Sequence, residues 1–340
     1  MRRLEMLEYL QQDAPRLPVW VISYNRFADP VSPTLERMRK WADLSDVFVI
    51  VRETQVLEYE LAFPELNFVA LPPERINSCG AARWGAFDMA REMGHTRVVM
   101  LDDDLLQFRF LYEYHVQSGP NEGNPCSRVA IREDLEELGG IELAEELTVA
   151  AMGRTASEAF DEYPSAVIAT AIKRLRAFDV RNHSTRFIYN DGVTPRQWTV
   201  WDIERMEEHG VRLNLKHFGI VGEDVGLMAT LLEKDLDAIT LPSFAYSYWD
   251  QYEGPNRKQE ENDKTTIRTP GIAGLLSEYE HLCLQEYDMG KHYLKVCPSG
   301  GDEYEWGEVD WRRMRAFRRS GTARYYWPPD AIRETEGQLI

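Results

Sequence analysis

The chain has 340 residues, 44% hydrophobic and 11% aromatic, which is too apolar for a disordered protein and enough to fill one large α/β domain or two ordinary ones. Its formal charge of -18, from 57 acidic against 39 basic residues, argues against a protein that coats nucleic acid with its whole surface and leaves room for a local basic patch. Cys79, Cys126, Cys283 and Cys297 stand far apart with no CxxC pair, which speaks against a zinc knuckle or a disulfide framework and predicts reduced thiols.

The opening residues MRRLEMLEYLQQDAP hold no apolar stretch long enough for a signal peptide, and no later run is long enough to span a bilayer, so a cytoplasmic location is expected. Residues 1–16 read as a short helix ending at Pro15. A first strand, Pro18 to Ile22, then delivers the polar Ser23, Tyr24, Asn25 and Arg26, as the first β-to-loop step of a nucleotide-binding sheet would. Neither GxGxxG nor GxxxxGK[ST] is present, so a dinucleotide fold and a Walker loop are both unsupported. A helix follows over Ser32 to Ala42 with Leu35, Met38 and Trp41 on one face. Strands are expected at Asp46 to Val51 and at Asn67 to Leu71, with a segment containing Tyr59 between them and Pro72 and Pro73 closing the second. This alternation predicts a largely parallel sheet flanked by helices.

The spacing next predicts a helix over Ser78 to Met93, with Ser78 as N-cap and Ala82, Ala86, Met89 and Met93 as the apolar face. Gly80, Ala81 and Ala82 allow close approach to its first turn, and Arg83 stands where it could meet an anion. The helix leads into TRVVMLDDDLLQF, where a short buried strand, Val98 to Leu101, ends on Asp102, Asp103 and Asp104. Three adjacent carboxylates repel one another unless a cation or protons intervene. The carboxyl end of a strand in an open α/β sheet is also where ligands bind. Asp102 and Asp104, spaced DxD, could hold Mg²⁺ or Mn²⁺ through oxygen ligands. The plainer reading is a solvated acidic turn capping a helix from Leu105.

Between Tyr112 and Glu162 the chain is irregular, then acidic, and IREDLEELGGIELAEEL reads as a solvated helix. Strands are expected at Pro164 to Ala171 and Arg186 to Tyr189, then a helix over Trp201 to His209. In HFGIVGEDVGLMATLLEKD, Gly219 and Gly222 bracket a turn, Glu223 and Asp224 follow, and Leu227 and Leu231 continue as an amphipathic helix. Taken alone, those acids are a good helix cap. A strand at Ala238 to Tyr248, a polar loop at Asp250 to Thr266 suited to a lid, a helix at Ala273 to Tyr287 and the segment KHYLKVCP complete the body. The tail WRRMRAFRRSGTARYYW carries Arg312, Arg313, Arg315, Arg318, Arg319 and Arg324 among five aromatic residues and no acids. Such interleaving suits a phosphate backbone and unstacked bases, and suits a basic helix folded on the acidic body equally well.

A strand ending in Tyr24, Asn25 and Arg26, then GAARWGAFDMA, then VVMLDDD, and later GEDVG, resembles the GT-A-fold glycosyltransferases. Within them it is most similar to the phage TET-associated glycosyltransferases, which modify hydroxymethylated cytosine in DNA. The resemblance implies a Rossmann-like mixed, mostly parallel sheet flanked by helices. The implied division is an N-terminal helix at 1–16, a nucleotide-sugar half at 17–110, an insertion at 111–162, an acceptor half at 163–300 and a basic aromatic extension at 301–340. It further implies a metal-dependent, inverting transfer from a nucleotide sugar, a UDP-sugar, to 5-hydroxymethylcytosine. Ser23 to Arg26, Gly80, Arg83, Asp102 and Asp103 would bind the donor, and Asp102, Asp104 and a C-terminal histidine, His292 before His281, the metal. Asp224 would act as base, Glu223 would position the acceptor, and the arginines 312–319 would meet DNA. A polysaccharide or protein hydroxyl is the alternative acceptor, and a catalytically silent nucleotide-sugar or DNA binding module the alternative of another class. Two features depart from the pattern: the third aspartate leaves the gripping pair ambiguous, and Gly226 stands where many relatives carry Asp.

Overall fold

A computed structural model of the chain describes residues 1–28, 31–76, 78–115, 125–173, 188–189, 197–212, 227–228, 230–231, 234–248, 284–286 and 294–296. Four strands, β1 (Val19–Ile22), β2 (Val47–Arg52), β3 (Asn67–Leu71) and β4 (Arg97–Asp102), pair in parallel in the order β3-β2-β1-β4. β1 is buried on both faces, which is why it reads as an unbroken apolar run. Its side chains alternate all the same: Val19 and Val21 join one core cluster, Trp20 and Ile22 the other, as the two-residue period of a strand requires. β4 divides likewise, with Val99 and Leu101 on the first side and Val98 and Met100 on the second.

Helices cover both faces. The first cluster takes Leu35 and Met38 of α2 (Pro33–Met38) and Met6 and Leu10 of α1 (Arg3–Leu10). The second takes Trp84, Phe87 and Ala90 of α4 (Cys79–Glu92), whereas Tyr59 of α3 (Val56–Ala62), the helix before β3, belongs to the first. At Gly85 a Cβ would stand 2.7 Å from Leu71 Cδ1, so any larger residue there would make that leucine side chain shift where α4 meets β3. Of the expected apolar face of α4, Ala86 is buried and Ala82 and Met89 pack partly buried against the second cluster, and the difference lies at its end and in its largest members. Met93 is the C-cap and 47% exposed, while Trp84 and Phe87, with more apolar surface to remove from water, turn toward the sheet.

Beyond β4 the sheet becomes mixed. Its order continues β4-β9-β7-β10-β5-β6, where β5 is Leu105–His115, β6 Pro125–Val129, β7 Ala166–Lys173, β9 Trp198–Asp202 and β10 Asp237–Tyr248, with β8 (Ile188–Tyr189) pairing with β10. β9 is antiparallel to both β4 and β7, whereas β10 runs parallel to β7 and antiparallel to β5. Between Leu241 and Ala245 the β10 register shifts; Pro242 lies in this irregular stretch, one of the few places a strand accepts a proline. The α/β class with helices on both faces of a mixed sheet is as expected.

Four local expectations are corrected. A strand, not a helix, starts at Leu105, because the residues after the turn pair with β10 and β6. Trp198–Asp202 is a strand too, and α7 (Ile203–Glu208) begins only after it, with Asp202 accepting from the Arg205 N–H at 3.0 Å. Third, the acidic stretch thought to be solvated contains α5 (Arg132–Glu137) and the 22-residue α6 (Ile141–Glu162), and α6 is a core helix. Ala144, Val149, Ala151, Met152, Ala156, Ala159 and Phe160 are buried against the sheet.

Two of the three acids that made the start of α6 look solvated are themselves buried, and Glu142 is exposed. Glu145, 1% exposed, accepts from Arg37 and Arg109 at 2.9 Å each. Glu146, 3% exposed, accepts from Arg16 and from the Ala42 N–H. Of the expected helix at 273–287, residues Leu284–Glu286 form a strand, β11, paired with β12 (Leu294–Val296). Among the described residues no helix is long and apolar enough to cross a membrane.

Candidate active site

β1 and β4 end together, with Ile22 in register with Asp102, while β2, level with Ile22 at Ile50, runs on to Arg52. The loop Ser23–Arg26 and the acidic turn Asp102–Asp104 therefore face each other at the carboxyl edge of the parallel strands, where the loops are free to bind a ligand. The three aspartates have three separate partners, which answers the repulsion their adjacency poses.

Asp103 turns into the β1 loop. Its Oδ2 accepts from the Ser23 hydroxyl at 2.6 Å and from the Tyr24 N–H at 3.2 Å, while Oδ1 lies 3.4 Å from Nε of Arg26, itself 3% exposed. Burial pushes the Asp103 carboxyl above its ordinary range, against the opposing pull of Arg26 and Ser23. Tyr59 closes this knot from α3. Its hydroxyl is 2.7 Å from Ser23 Oγ and accepts from the Arg26 N–H at 2.9 Å; burial and the charge of Asp103 raise its pKa.

Asp102 faces the opposite way. One nitrogen of Arg83, Nη2, donates to its two carboxylate oxygens at 2.7 and 2.8 Å. Arg83 comes from the first turns of α4, whose start is set by Ser78 accepting from the Ala81 N–H at 3.0 Å. Gly80 is buried in that same turn. Asp104, 2% exposed, accepts from Gln197 Nε2, which lies 3.3 Å from each oxygen.

The backbone of the turn is held from α2. Ser32 Oγ donates to the Asp103 carbonyl at 2.6 Å, and Thr34 Oγ1 to the Asp102 carbonyl at 2.9 Å. The Leu105 N–H then donates to Thr34 Oγ1 at 2.8 Å. Beside the loop, Arg52 places its guanidinium 4.1 Å from the centre of the Tyr24 ring, a cation–π contact. Asn25 adopts φ 55°, a left-handed conformation that asparagine tolerates best after glycine, and hydrogen-bonds Gln55.

Ser23, Tyr24, Asn25, Arg26, Gly80, Arg83, Asp102, Asp103 and Asp104 thus gather at one corner. Glu223, Asp224, His281, His292 and the tail arginines 312–324 lie outside the described residues. Sequence reasoning missed Ser32, Thr34, Arg52, Tyr59 and Gln197 as parts of this corner; no motif marks them, and only the crossing of α2, α3, β2 and β9 brings them here.

The donor chemistry can be tested against a divalent cation. Among the described residues no group of three or more His, Cys, Asp and Glu side chains could hold one. Asp102 and Asp104 supply hard oxygen ligands of the right kind, and the Arg83 nitrogen, nearly equidistant from both Asp102 oxygens, stands in for a chelated cation. Two carboxylates therefore fit, the remaining ligands having to come from a bound phosphate and water.

The parallel β3-β2-β1-β4 sheet, with its pinned polar loop and acidic turn at one edge, lies within the segment that the family comparison matches. The matching model is TET-Associated Glycosyltransferase, and it covers residues 17–160, from β1 through α6. The expectation of an enzyme of this class stands on that match. No curated protein matches the chain. Among solved structures, glucosyl-3-phosphoglycerate synthase from Mycobacterium tuberculosis in complex with Mg²⁺ and uridine-diphosphate is similar at 11% identity and TM-score 0.40, over 87% of this chain and 91% of that one. GalNAc-T7 with UDP, GalNAc and Mn²⁺ is similar at 10% identity and TM-score 0.39, over 78% of this chain and 50% of that one. These superpositions are loose, and the fold rests on the strand order itself.

Proposed function

We propose that this chain transfers a sugar from a nucleotide sugar, a UDP-sugar, to the hydroxymethyl group of 5-hydroxymethylcytosine in DNA, with inversion at the anomeric carbon. The observation that carries the reading is the family match over residues 17–160, a segment that includes Asp102–Asp104 and the residues around them other than Gln197. In this reading residues 17–110 serve the donor and 163–300 the acceptor.

The nucleoside rests on the Ser23–Arg26 loop, which Asp103 and Tyr59 hold still, and Arg83 lies within reach of the diphosphate. Asp102 and Asp104, with His292, would hold Mn²⁺ or Mg²⁺. Such an ion neutralises the charge that builds on the departing diphosphate. The acceptor oxygen attacks the anomeric carbon, the bond to the diphosphate breaks with its electron pair on the leaving oxygen, and the Asp224 carboxylate takes the hydroxyl proton. Glu223 orients the acceptor. Arg312, Arg313, Arg315, Arg318 and Arg319 meet the phosphate backbone, and the hydroxymethyl group, which projects into the major groove, is reached there or after base flipping. A phage-encoded enzyme would work in the host cytoplasm.

The test is the mass of nucleosides released from hydroxymethylcytosine DNA after incubation with the protein, Mn²⁺ and a panel of nucleotide sugars. A hexose- or pentose-sized gain is expected. Donor hydrolysis without any gain in the nucleoside would retain the transferase and rule out DNA as its acceptor.

A further inference from the structure

We propose that Arg83 is a latch that makes metal binding at Asp102 depend on the donor diphosphate. The proposal rests on the glycosyltransferase reading and concerns the order in which its site fills. Arg83 Nη2 occupies the chelating position on Asp102, 2.7 and 2.8 Å from its two oxygens. The two side chains are only 12% and 17% exposed, so water and salt screen the pair weakly. A divalent ion that chelates Asp102 through both oxygens has to displace this guanidinium.

The neighbouring aspartates offer no easy substitute. Asp103 is engaged by Ser23, Tyr24 and Arg26, and Asp104 is buried under Gln197. A diphosphate changes the balance. A guanidinium is a planar fork that matches phosphate oxygens, so a donor lying beside Asp102 gives Arg83 a second anion and frees the carboxylate for the ion. The movement is confined to one side chain. α4 itself is fixed by its Ser78 cap and by Trp84 and Phe87, which follow Arg83 in sequence and pack into the core. Since linkage is reciprocal, nucleotide must raise the affinity for metal by the factor by which metal raises the affinity for nucleotide.

The experiment is calorimetric titration of full-length protein with Mn²⁺, alone and with saturating UDP, GDP or ADP, for wild type, Arg83→Gln and Arg83→Lys, with thermal unfolding to confirm that each is folded. Without nucleotide, Arg83→Gln is expected to bind Mn²⁺ about tenfold more tightly than wild type, an ordinary size for coupling between sites. The enhancement by nucleotide should shrink toward one in the same variant. Arg83→Lys, which keeps the charge and loses the fork, should fall between the two, and it carries the comparison if Arg83→Gln does not fold. Equal or weaker Mn²⁺ binding by the variants in the absence of nucleotide, with Mn²⁺-dependent nucleotide binding intact in wild type, overturns the latch alone. No Mn²⁺-dependent nucleotide binding by wild type overturns the functional reading and the latch together.

Discussion

The hydroxyl of Tyr59, on α3, bridges Ser23 Oγ and the Arg26 N–H across the loop that follows β1. It is fully buried, and its ring stands edge-on to Phe27 with centroids 5.2 Å apart. Through Ser23 it also supports Asp103, so the conformation of the candidate donor loop depends on a residue more than thirty positions away.

Replacing Tyr59 with Phe keeps the ring and removes both hydrogen bonds, leaving the Arg26 N–H without this acceptor. A loss of about 1–3 kcal/mol is expected, the cost of an unsatisfied buried donor, and urea unfolding measures it. Nucleotide affinity should fall in parallel, because the loop must then be ordered by the ligand. Unchanged nucleotide affinity in a destabilised variant would show that the loop does not contact the donor.

Asp224→Asn is expected to abolish turnover while sparing nucleotide-sugar binding, since an amide cannot take the acceptor proton. Single-turnover transfer and donor titration on the same preparation separate the two. An active variant would remove Asp224 from the role of base.

Glu145→Ala should be among the most damaging changes away from the corner. It leaves the Arg37 and Arg109 guanidinium groups facing each other under α6 without their shared anion. Burial already pulls the Arg109 pKa down against the support of Glu145. Breaking a buried pair costs about 3–5 kcal/mol, and because Arg37 is 31% exposed the lower end is expected. Chemical denaturation tests this, and restoration by an added Arg109→Met would confirm that uncompensated charge is the cause.

His95 gives stability a pH dependence. It sits beside Trp20 and Phe48, ring centroids 6.0 and 5.7 Å away, and burial lowers its pKa although Asp46 pulls the other way. The unfolded chain then binds the proton more readily than the folded one. The stabilisation is complete above the unfolded value of about 6.5 and is lost as the pH falls from there toward the folded value. Thermal unfolding between pH 7.5 and 5 should show this loss, and His95→Phe should flatten it in that window.

DNA binding, if the acceptor is DNA, should weaken steeply between low and physiological salt as phosphate-bound counterions are released. Deleting residues 311–340 should reduce both the affinity and the salt slope, while leaving donor hydrolysis in place. Salt-independent transfer would count against a duplex acceptor.

Much of this protein was legible in its residues. The run VWVI, the capping Ser78 and the strand VVML ending on three aspartates specify local structure by short-range rules, so β1, α4 and β4 lie where patterning puts them. The opposition of loop 23–26 to the triplet follows from parallel strands that end together. Patterning failed where long-range partners decide the outcome. Glu145 and Glu146 look like solvent-facing acids until arginines from other elements neutralise them, and WTVWD becomes a strand because β4 and β7 flank it. The division of labour among Asp102, Asp103 and Asp104 is of the same kind. Composition and spacing determine that three carboxylates crowd one strand end, but which one pins the loop, which one is held by Arg83 and which one is buried under Gln197 depends on side chains that only the folded sheet brings within hydrogen-bonding distance.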